Sequence, residues 1–527
     1  MENNKDKEWL NSRKKYTADI LDCIAHLSSD EVFTSPKLAN QVLDLLPSNI
    51  WEDKDLKWLD PSCKTGVFLR EIAKRLLIGL KKTIPDLEER KEHILKNMLY
   101  GIALTELTAL TSRRSLYYSK DASSEYSGVL FENPEGNIEY KNCNHSFVDE
   151  KTNKEKTFCS KCFLEKKSTK EKVADNSESH AYQFIHEEIG EIFIKQIPKG
   201  ENMKFNVIVG NPPYQMKDGG AGSSATPLYH FFIQQAKKLN PDYLSMIIPA
   251  RWYCDGKGLD EFREEMLKDK TLKTLVDHPD PSECFPGVEI KGGVCYFLME
   301  KNHNGDCEVV NKYKNYISKA TRNLNYNSTG YLIRFNEAIS IINKVVQFKD
   351  VNGNIEPKLN TQISSRKPFG LSTTIKTESK PQQGKTLCYI RNGIGYVDSN
   401  LITDKDSLLG KYKVLISKAY GAGEGFPHQI IGQPIVTEQN SCCSETYLVA
   451  GAFDTKKQAD NFAIYMRTKF FRFLVSQLKL TQNITKTKFS FVPILDMNIQ
   501  WTDDLLYKRY GIEDSEIKFI DSIVKNY

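Results

Sequence analysis

The sequence predicts an α/β protein whose N-terminal half is wound around a largely parallel sheet. Two strand-turn-helix units favour this fold, because residues 56–80 and residues 99–117 each join a short apolar strand to a helical pattern. A third observation is the apolar strand at residues 205–209, where the alternation of strands and helices resumes after a long polar stretch. Such alternation of strands and helices is typical of parallel βαβ winding.

Each element of this half is assigned in chain order. Residues 17–46 predict two helices separated by a turn at Thr34-Ser35-Pro36. The later predicted helices cover residues 67–80, 105–117 and 229–239. The predicted strands cover residues 56–60, 99–104, 205–209, 243–248 and 294–299.

Length and composition predict more than one domain. The chain has 527 residues, of which 40% are hydrophobic and 27% charged, as in ordinary globular proteins. Residues 119–185 are rich in Ser, Lys, Glu and Asn and predict a cysteine-bearing insertion. Beyond about residue 310 the chain becomes loop-rich and β-leaning. We therefore predict an α/β domain at residues 1–315, including the insertion, and a mixed α+β domain at residues 316–527.

Charge and cysteine usage favour a cytoplasmic protein. Residues 1–15 lack the apolar stretch of a signal peptide, and no uncharged apolar run is long enough to span a membrane. The net charge of +5 permits binding to a polyanion without demonstrating it. The twelve cysteines are better explained as reduced thiols, or in part as metal ligands, than as a disulfide framework.

Four residues of the insertion could hold a structural zinc ion: Cys143, His145, Cys159 and Cys162. Two thiolate-bearing pairs across a small ribbon suit tetrahedral zinc, and four protein ligands leave no position for a reacting water. The spacing between Cys143 and His145 is unusually tight, so His180 is an alternative ligand. Reduced thiols in a hydrophilic loop are the other explanation.

The tetrapeptide Asn211-Pro212-Pro213-Tyr214 follows a buried-looking strand and can activate an aromatic amino group. The side-chain carbonyl of Asn211 and the backbone carbonyl of Pro212 can accept the two hydrogens of an amine, favouring the tetrahedral geometry of attack. Consecutive prolines hold these acceptors rigidly. Tyr214 offers a flat face on which a base can stack. The alternative is a proline-rich turn without chemistry.

Three blocks in this order resemble the amino (N6-adenine) DNA methyltransferases of the gamma arrangement, similar to Eco57I-like modification enzymes. The blocks are Phe33 to Pro36, Asp60 to Phe68 and Asn211 to Tyr214. The resemblance implies a Rossmann-like domain that binds S-adenosylmethionine, followed by a target-recognition domain. It implies that the cofactor is bound by Thr34, Asp60, Pro61, Ser62, Cys63 and Gly66.

The chain departs from the family pattern at two positions of the cofactor site. Lys64 stands where the family usually has glycine. Where an acidic residue is expected to hold the cofactor ribose, shortly after Gly101, this chain has Ala103. Glu106 is the substitute that we predict, although a solvated glutamate at a helix start is an equal alternative.

A second aromatic residue matches a later block of the family. Phe285, which precedes the apolar strand at residues 294–299, resembles the residue that packs against the rotated target base. Phe285 would then be the stacking partner of Tyr214. The alternative is a core phenylalanine at a hairpin.

The resemblance implies methyl transfer from S-adenosylmethionine to N6 of an adenine rotated out of duplex DNA. The expected setting is a restriction-modification or phage-defence system, with a restriction endonuclease or helicase as a partner. Two alternatives stay open. One is a catalytically weakened DNA-binding subunit, and the other is a methyltransferase acting on amino groups of RNA or protein.

Overall fold

The computed structural model forms two compact units. One comprises Met1–Trp252 and Gly256–Leu324, and the other comprises Tyr253–Asp255 and Asn325–Tyr527. The structure describes residues 32–141, 146–148, 155, 159, 161, 182–196, 203–215, 227–254, 256, 258–288, 290–325, 329–391, 393–421 and 429–527.

The first unit is built on a nine-stranded mixed sheet. Its strands are β1 (Trp58–Asp60), β2 (Leu99–Ile102), β3 (Ile138–Glu139), β4 (Val207–Gly210), β5 (Tyr243–Pro249), β6 (Leu272–His278), β7 (Val294–Glu300), β8 (Cys307–Tyr313) and β9 (Tyr316–Arg322). Their spatial order is β3-β2-β1-β4-β5-β7-β6-β8-β9. The neighbours from β3 to β5 pair in parallel, whereas β7 is antiparallel to both β5 and β6.

Helices connect these strands. They are α1 (Pro36–Leu43), α2 (Val67–Gly79), α3 (Leu87–His93), α4 (Glu106–Tyr117), α5 (Gln183–His186), α6 (Ile189–Ile192), α7 (Tyr229–Lys238) and α8 (Asp260–Lys268). Of these, α1, α2 and α4 bury their apolar faces in one core. Helix α1 begins where Ser35 accepts the Leu38 amide, with Pro36 in its first turn. Asn40 of α1 donates to Glu71 of α2 at 3.1 Å. This contact holds the start of α1, and the segment before it, against the helix that follows β1.

Part of the predicted insertion belongs to the sheet. β3 pairs in parallel with β2, and Ala122, Val129 and Phe131 join the hydrophobic core. The predicted insertion at residues 119–185 therefore begins too early, because its N-terminal part belongs to the sheet and the core of the first unit. A two-residue strand between turns leaves no hydrophobic period in the sequence, so composition alone suggested a loop.

The first unit also extends beyond residue 315. β9 pairs antiparallel with β8 along its whole length, and the unit ends at Leu324. The predicted boundary falls inside the tight turn between these two strands. Polar residues on the exposed face of β9 gave this hairpin a loop-like composition.

The second unit contains two three-stranded sheets and a set of helices. The sheets have the orders β11-β10-β14 and β13-β12-β15. Their strands are β10 (Lys385–Ile390), β11 (Gly393–Asp398), β12 (Tyr412–Ser417), β13 (Ile435–Thr437), β14 (Ser441–Cys443) and β15 (Tyr447–Phe453). The helices are α9 (Ala338–Val346), α10 (Lys456–Arg467), α11 (Lys469–Ser476), α12 (Asp503–Tyr510) and α13 (Asp514–Ile523).

Helix α11 corrects the β-leaning prediction for the chain beyond about residue 310, which includes residues 468–473. Thr468 caps this helix by accepting the Phe471 amide, and the aromatic residues that suggested a strand are buried in the core of the second unit. Aromatic residues favour strands when their environment is unknown, but burial of a helix face overrides that preference. Within the described part of the chain, no helix has the length and apolarity that a membrane span requires.

Candidate active site

Two predicted motifs lie where the strand order of the large sheet reverses. From β1 the chain order moves outward in both directions, through β2 to β3 on one side and through β4 to β5 on the other. Asp60 is the last residue of β1, and Asn211 directly follows β4. Because β1 and β4 are parallel neighbours, both residues lie at the same edge of the sheet. Open α/β sheets bind their ligands at such a switch point.

Backbone hydrogen bonds fix the turn after β1. The Ser62 amide donates to Asp60 Oδ1 at 3.0 Å, and the Cys63 amide donates to the carbonyl of Ile102 at 2.9 Å. The Gly66 amide donates to the carbonyl of Cys63 and closes the turn. The chain is therefore bent tightly between the end of β1 and the start of α2.

Two glycines allow a close approach at this edge of the sheet. Gly66 has φ 74° immediately before α2, and a Cβ there would lie 2.9 Å from Ser112 Oγ. A Cβ at Gly210, the last residue of β4, would lie 2.7 Å from Asp60 Oδ1. Glycine at these positions lets the turn after β1 approach α4 and lets the end of β4 approach Asp60.

The Asp60 side chain is only 1% exposed, and this burial governs its ionisation. Burial raises the pKa of the carboxyl from 3.8 to about 7, although the Ser62 amide and the positive charge of Lys64 lower it. A carboxylate with a raised pKa gains most from a cation placed beside it. Asp60 is therefore suited to a positively charged ligand group.

The side-chain amide of Asn211 is held by its nitrogen and open at its oxygen. Nδ2 donates to the carbonyl of Val32 at 2.8 Å and to Thr34 Oγ1 at 3.0 Å. Ser62 Oγ donates to the backbone carbonyl of Asn211 at 2.9 Å, which joins the turn after β1 to the tetrapeptide. Oδ1 is buried and accepts no hydrogen bond from any residue that the structure describes. The site thus presents one preorganised acceptor.

Tyr214 and Phe285 lie together, as the sequence suggested, but not as parallel plates. Their ring centroids are 6.3 Å apart with an interplanar angle of 77°, an edge-to-face contact. Both rings are buried, and within the described residues the Tyr214 hydroxyl has no hydrogen-bond partner. Burial raises the pKa of Tyr214 well above its ordinary value. A base cannot lie between the two rings unless one of them moves.

The remaining predicted site residues have different settings. Pro61, Cys63, Pro212 and Pro213 are buried beside the two motifs. The hydroxyl oxygen of Thr34 accepts a hydrogen bond from Asn211 Nδ2, and cofactor binding by Thr34 stays a prediction. Near β2, Ala103 is fully buried after the strand, and Glu106 is exposed in the first turn of α4. Binding of the cofactor ribose by Glu106 stays a prediction.

The zinc hypothesis finds no support in the described residues. Cys143, His145, Cys162 and the alternative ligand His180 lie outside them, whereas Cys159 is buried. Among the residues that the structure describes, no group of three or more His, Cys, Asp or Glu side chains could hold a metal ion. A zinc site therefore stays a prediction of the sequence.

Sequence reasoning missed two contributors to the site, Val32 and Lys64. The Val32 carbonyl accepts hydrogen bonds from both Asn211 Nδ2 and Lys64 Nζ, each at 2.8 Å. A backbone carbonyl carries no sequence signal. A lysine in a buried turn that otherwise favours glycine does indicate a specific role for its side chain. The family pattern indicates only that Lys64 departs from it.

These features define an α/β protein with its ligand site at the switch point of a mixed sheet. Residues 97–285 match the family described as Eco57I restriction-modification methylase. An uncharacterized adenine-specific methylase of Mycoplasma pneumoniae is 37% identical over 311 residues, which cover 56% of this chain and 73% of that protein. The chain belongs to the Eco57I-like restriction-modification methylases, a family of adenine-specific methylases.

Solved structures show weaker similarity. A DrdV–DNA complex has a TM-score of 0.46 at 12% identity, covering 94% of this chain and 57% of that chain. The methyltransferase subunit of a type I restriction-modification system from Streptococcus thermophilus has a TM-score of 0.30 at 15% identity, covering 61% and 55%. This chain thus spans little more than half the length of these two proteins.

Proposed function

We propose that this protein transfers a methyl group from S-adenosylmethionine to N6 of an adenine rotated out of duplex DNA. The single observation that carries the proposal is the Asn211 amide, whose nitrogen is engaged and whose buried oxygen has no partner within the described residues. A buried unpaired acceptor is costly, so it is expected where a ligand supplies the missing donor.

The amine of adenine supplies that donor. Its nitrogen lone pair is delocalised into the ring and is a poor nucleophile until the amine becomes tetrahedral. Asn211 Oδ1 accepts one N6 hydrogen, and the Pro212 carbonyl accepts the other, so the lone pair is directed away from the ring plane. Bound S-adenosylmethionine would supply an electrophilic methyl group and leave as S-adenosylhomocysteine, and the methylated amine would release one proton to water. Asn211 Oδ1 needs no reorganisation, because the bonds to Val32 and Thr34 already fix the amide.

The residues of the turn after β1 fit the cofactor. The N-terminus of α2 directly follows Gly66, and its unpaired amides favour a carboxylate. Asp60, buried and with a raised pKa, favours the ammonium group of the same amino-acid portion. Ser62 and Cys63 then position the turn, since their amides are already bonded to Asp60 and to Ile102.

Tyr214 and Phe285 are proposed to stack on the rotated base. In their edge-to-face contact the rings occupy the space that a base would need. Entry of the base therefore requires a rotation of one ring, and the stacking gained is about 1 to 3 kcal/mol per base. The Tyr214 hydroxyl, unpaired among the described residues, does not restrain such a rotation through a hydrogen bond.

The second unit is proposed to recognise the DNA target. Glu445 lies at the centre of a cationic cluster, with Arg366 Nη2 at 3.1 Å, Lys367 Nζ at 3.3 Å and Lys418 Nζ at 3.7 Å. These cations lower the pKa of Glu445 to about 2. One carboxylate neutralises only part of three positive charges, and the surplus suits DNA phosphates.

The family membership favours a restriction-modification setting in the cytoplasm. In that setting we propose an endonuclease or helicase partner, which affinity purification from the native host followed by mass spectrometry would identify. Recovery of the protein without such a subunit would contradict the partner while leaving the methylase proposal intact.

The proposed reaction is tested with purified protein, plasmid DNA and methyl-labelled S-adenosylmethionine. Digestion to nucleosides is expected to yield N6-methyladenine, and Asn211→Ala is expected to abolish it. Exposed Asn302 provides a matched control, since Asn302→Ala should leave the yield unchanged. Methylcytosine, or label found only in added RNA or protein, would overturn the proposal.

A further inference from the structure

Lys64 is a buried cation whose ammonium group lies beside the residues that hold the Asn211 side chain. It is 5% exposed, and its Nζ donates to the Val32 carbonyl at 2.8 Å. The same carbonyl accepts Asn211 Nδ2 at 2.8 Å. A buried ammonium requires hydrogen-bond acceptors to offset the loss of its hydration. Lys64 and Asn211 are therefore linked through one shared oxygen atom.

The backbone at Lys64 is unfavourable for a lysine. Its φ is 35°, in the left-handed region that favours glycine. Glycine is also what the resemblance leads us to expect at this position. A strained backbone is maintained when the side chain makes a compensating interaction. The bond to Val32 is such an interaction.

The Val32 carbonyl decides which way the Asn211 amide faces. A carbonyl can only accept, so it selects the orientation in which Nδ2 points toward Val32 and Oδ1 points away. The reverse orientation would place two acceptors together and would offer donors to an amine that itself donates. Without Lys64, the Val32 carbonyl would keep only its hydrogen bond from Asn211 Nδ2 among the described residues. The position of Val32 would then depend on the same amide that must bind the substrate amine.

We infer that Lys64 is a positioning residue for methyl transfer, which fixes Val32 so that Asn211 Oδ1 faces the adenine amine. This inference rests on the proposed function of Asn211. It assigns a role to the residue that departs from the family pattern. Lys64 does not contact the reacting atoms, because its ammonium donates to a protein carbonyl on the far side of the Asn211 amide.

Substitutions at Lys64 separate positioning from folding and from cofactor binding. Lys64→Met removes the ammonium, Lys64→Arg keeps a cationic donor, and Lys64→Gly removes the side chain while relaxing the backbone. Exposed Lys82 gives the matched control Lys82→Met. The melting temperature of each variant is measured first. If Lys64→Met does not fold, the activity of Lys64→Gly tests the positioning role, because glycine suits φ 35°.

Displacement of a preorganised acceptor slows the chemical step more than it weakens binding. We expect kcat of Lys64→Met and Lys64→Gly to fall roughly tenfold or more, while KM for the cofactor changes by less than about threefold. Lys64→Arg should recover part of the loss. Thr34→Val acts on the same amide, so its effect combined with Lys64→Met should be less than the product of the two separate effects.

Two results would overturn the inference. One is a folded Lys64→Gly protein with wild-type kcat, and the other is a loss confined to KM for the cofactor, which would make Lys64 a cofactor ligand. If the wild-type protein itself forms no N6-methyladenine, the proposed function fails and the inference fails with it. If the wild type is active and the Lys64 variants equal it, only the inference fails.

Discussion

The two regions that carry the proposed function differ in how they arrange their polar groups. At the switch point of the large sheet, Asn211 is buried, with its nitrogen bonded twice and its oxygen open. In the second unit, Glu445 gathers cations that stay exposed, Arg366 at 68% and Lys367 at 43% of their side chains. One region presents a single fixed acceptor, whereas the other presents a cluster of solvated charges.

The difference indicates how each region responds to change. A buried acceptor acts in a low dielectric and needs no reorganisation, so the loss of one atom should have a large effect that salt does not alter. Solvated cations are screened, and each contributes little. Chemistry should therefore depend on individual residues, whereas DNA affinity should depend on the sum of several.

The strongest test of this contrast is Asn211→Ala. Removal of a preorganised polar group from a transition state typically costs about 100- to 1,000-fold in rate, and we expect a loss of that size in single-turnover methyl transfer. DNA affinity should change little, since the phosphate contacts are proposed to lie in the other unit. Equal losses in rate and in DNA affinity would break the contrast.

Asp60 should make the folding stability of the protein depend on pH. Its carboxyl titrates near pH 7 in the folded protein rather than at 3.8. Between these values the folded protein keeps a proton that the unfolded chain has lost, so the stability that Asp60 contributes is present at low pH and is lost as the pH rises to about 7. Asp60→Asn removes this dependence, while its amide oxygen can still accept the Ser62 amide.

Denaturant unfolding checks this at several pH values. The free energy of unfolding of Asp60→Asn, minus that of the wild type, should increase by about 1.4 kcal/mol per pH unit near pH 5 and by about half of that as the pH reaches 7. Cofactor affinity of the variant should fall at the same time, because the proposed partner of the ammonium group is gone. A difference that does not vary with pH would show that Asp60 has an ordinary pKa.

Sequence patterns predicted the elements around the site better than those at the edges of the sheet. Strands β1, β2 and β4 and helices α2 and α4 form where apolar periodicity and turn residues indicate them, because each is long or buried enough to leave a pattern. The two-residue β3 and the half-exposed β9 leave none. Their place in the sheet depends on pairing with strands that are already buried, which is information from the tertiary structure.

The sequence also predicted only part of the candidate site. Motif order was enough to predict that Asp60 and Asn211 belong to one site, and the sheet topology explains why, since both follow neighbouring strands. Local sequence could not predict that Thr34 and the Val32 carbonyl bond to Asn211, which is 177 or more positions away along the chain. Nor could it predict the edge-to-face geometry of Tyr214 and Phe285, which follows from packing.

Substitutions in the aromatic pair of Tyr214 and Phe285 should change activity by an intermediate amount. Tyr214→Ala should lower kcat/KM for DNA through lost stacking, by a factor equivalent to about 1 to 3 kcal/mol. Tyr214→Phe is the control, because it keeps the ring and removes a buried hydroxyl that lacks a partner among the described residues. Its activity should match the wild type and its stability should be equal or higher. A strong loss in Tyr214→Phe would assign the hydroxyl a role in the reaction.

The smallest effect of a single substitution is expected in the cationic cluster. If Arg366 contacts one phosphate, Arg366→Ala should reduce the slope of log affinity against log salt concentration by about 0.9 and weaken binding only a few-fold. Lys518→Ala, at an exposed lysine outside the cluster, should leave the slope unchanged. The variant Arg366→Ala with Lys367→Ala should lose about twice as much slope, because solvated phosphate contacts add. Methyl transfer at saturating DNA should stay at the wild-type rate, since neither residue belongs to the proposed reaction site. A fall in that rate would mean that the cluster contributes to the chemistry and that the two regions are not independent.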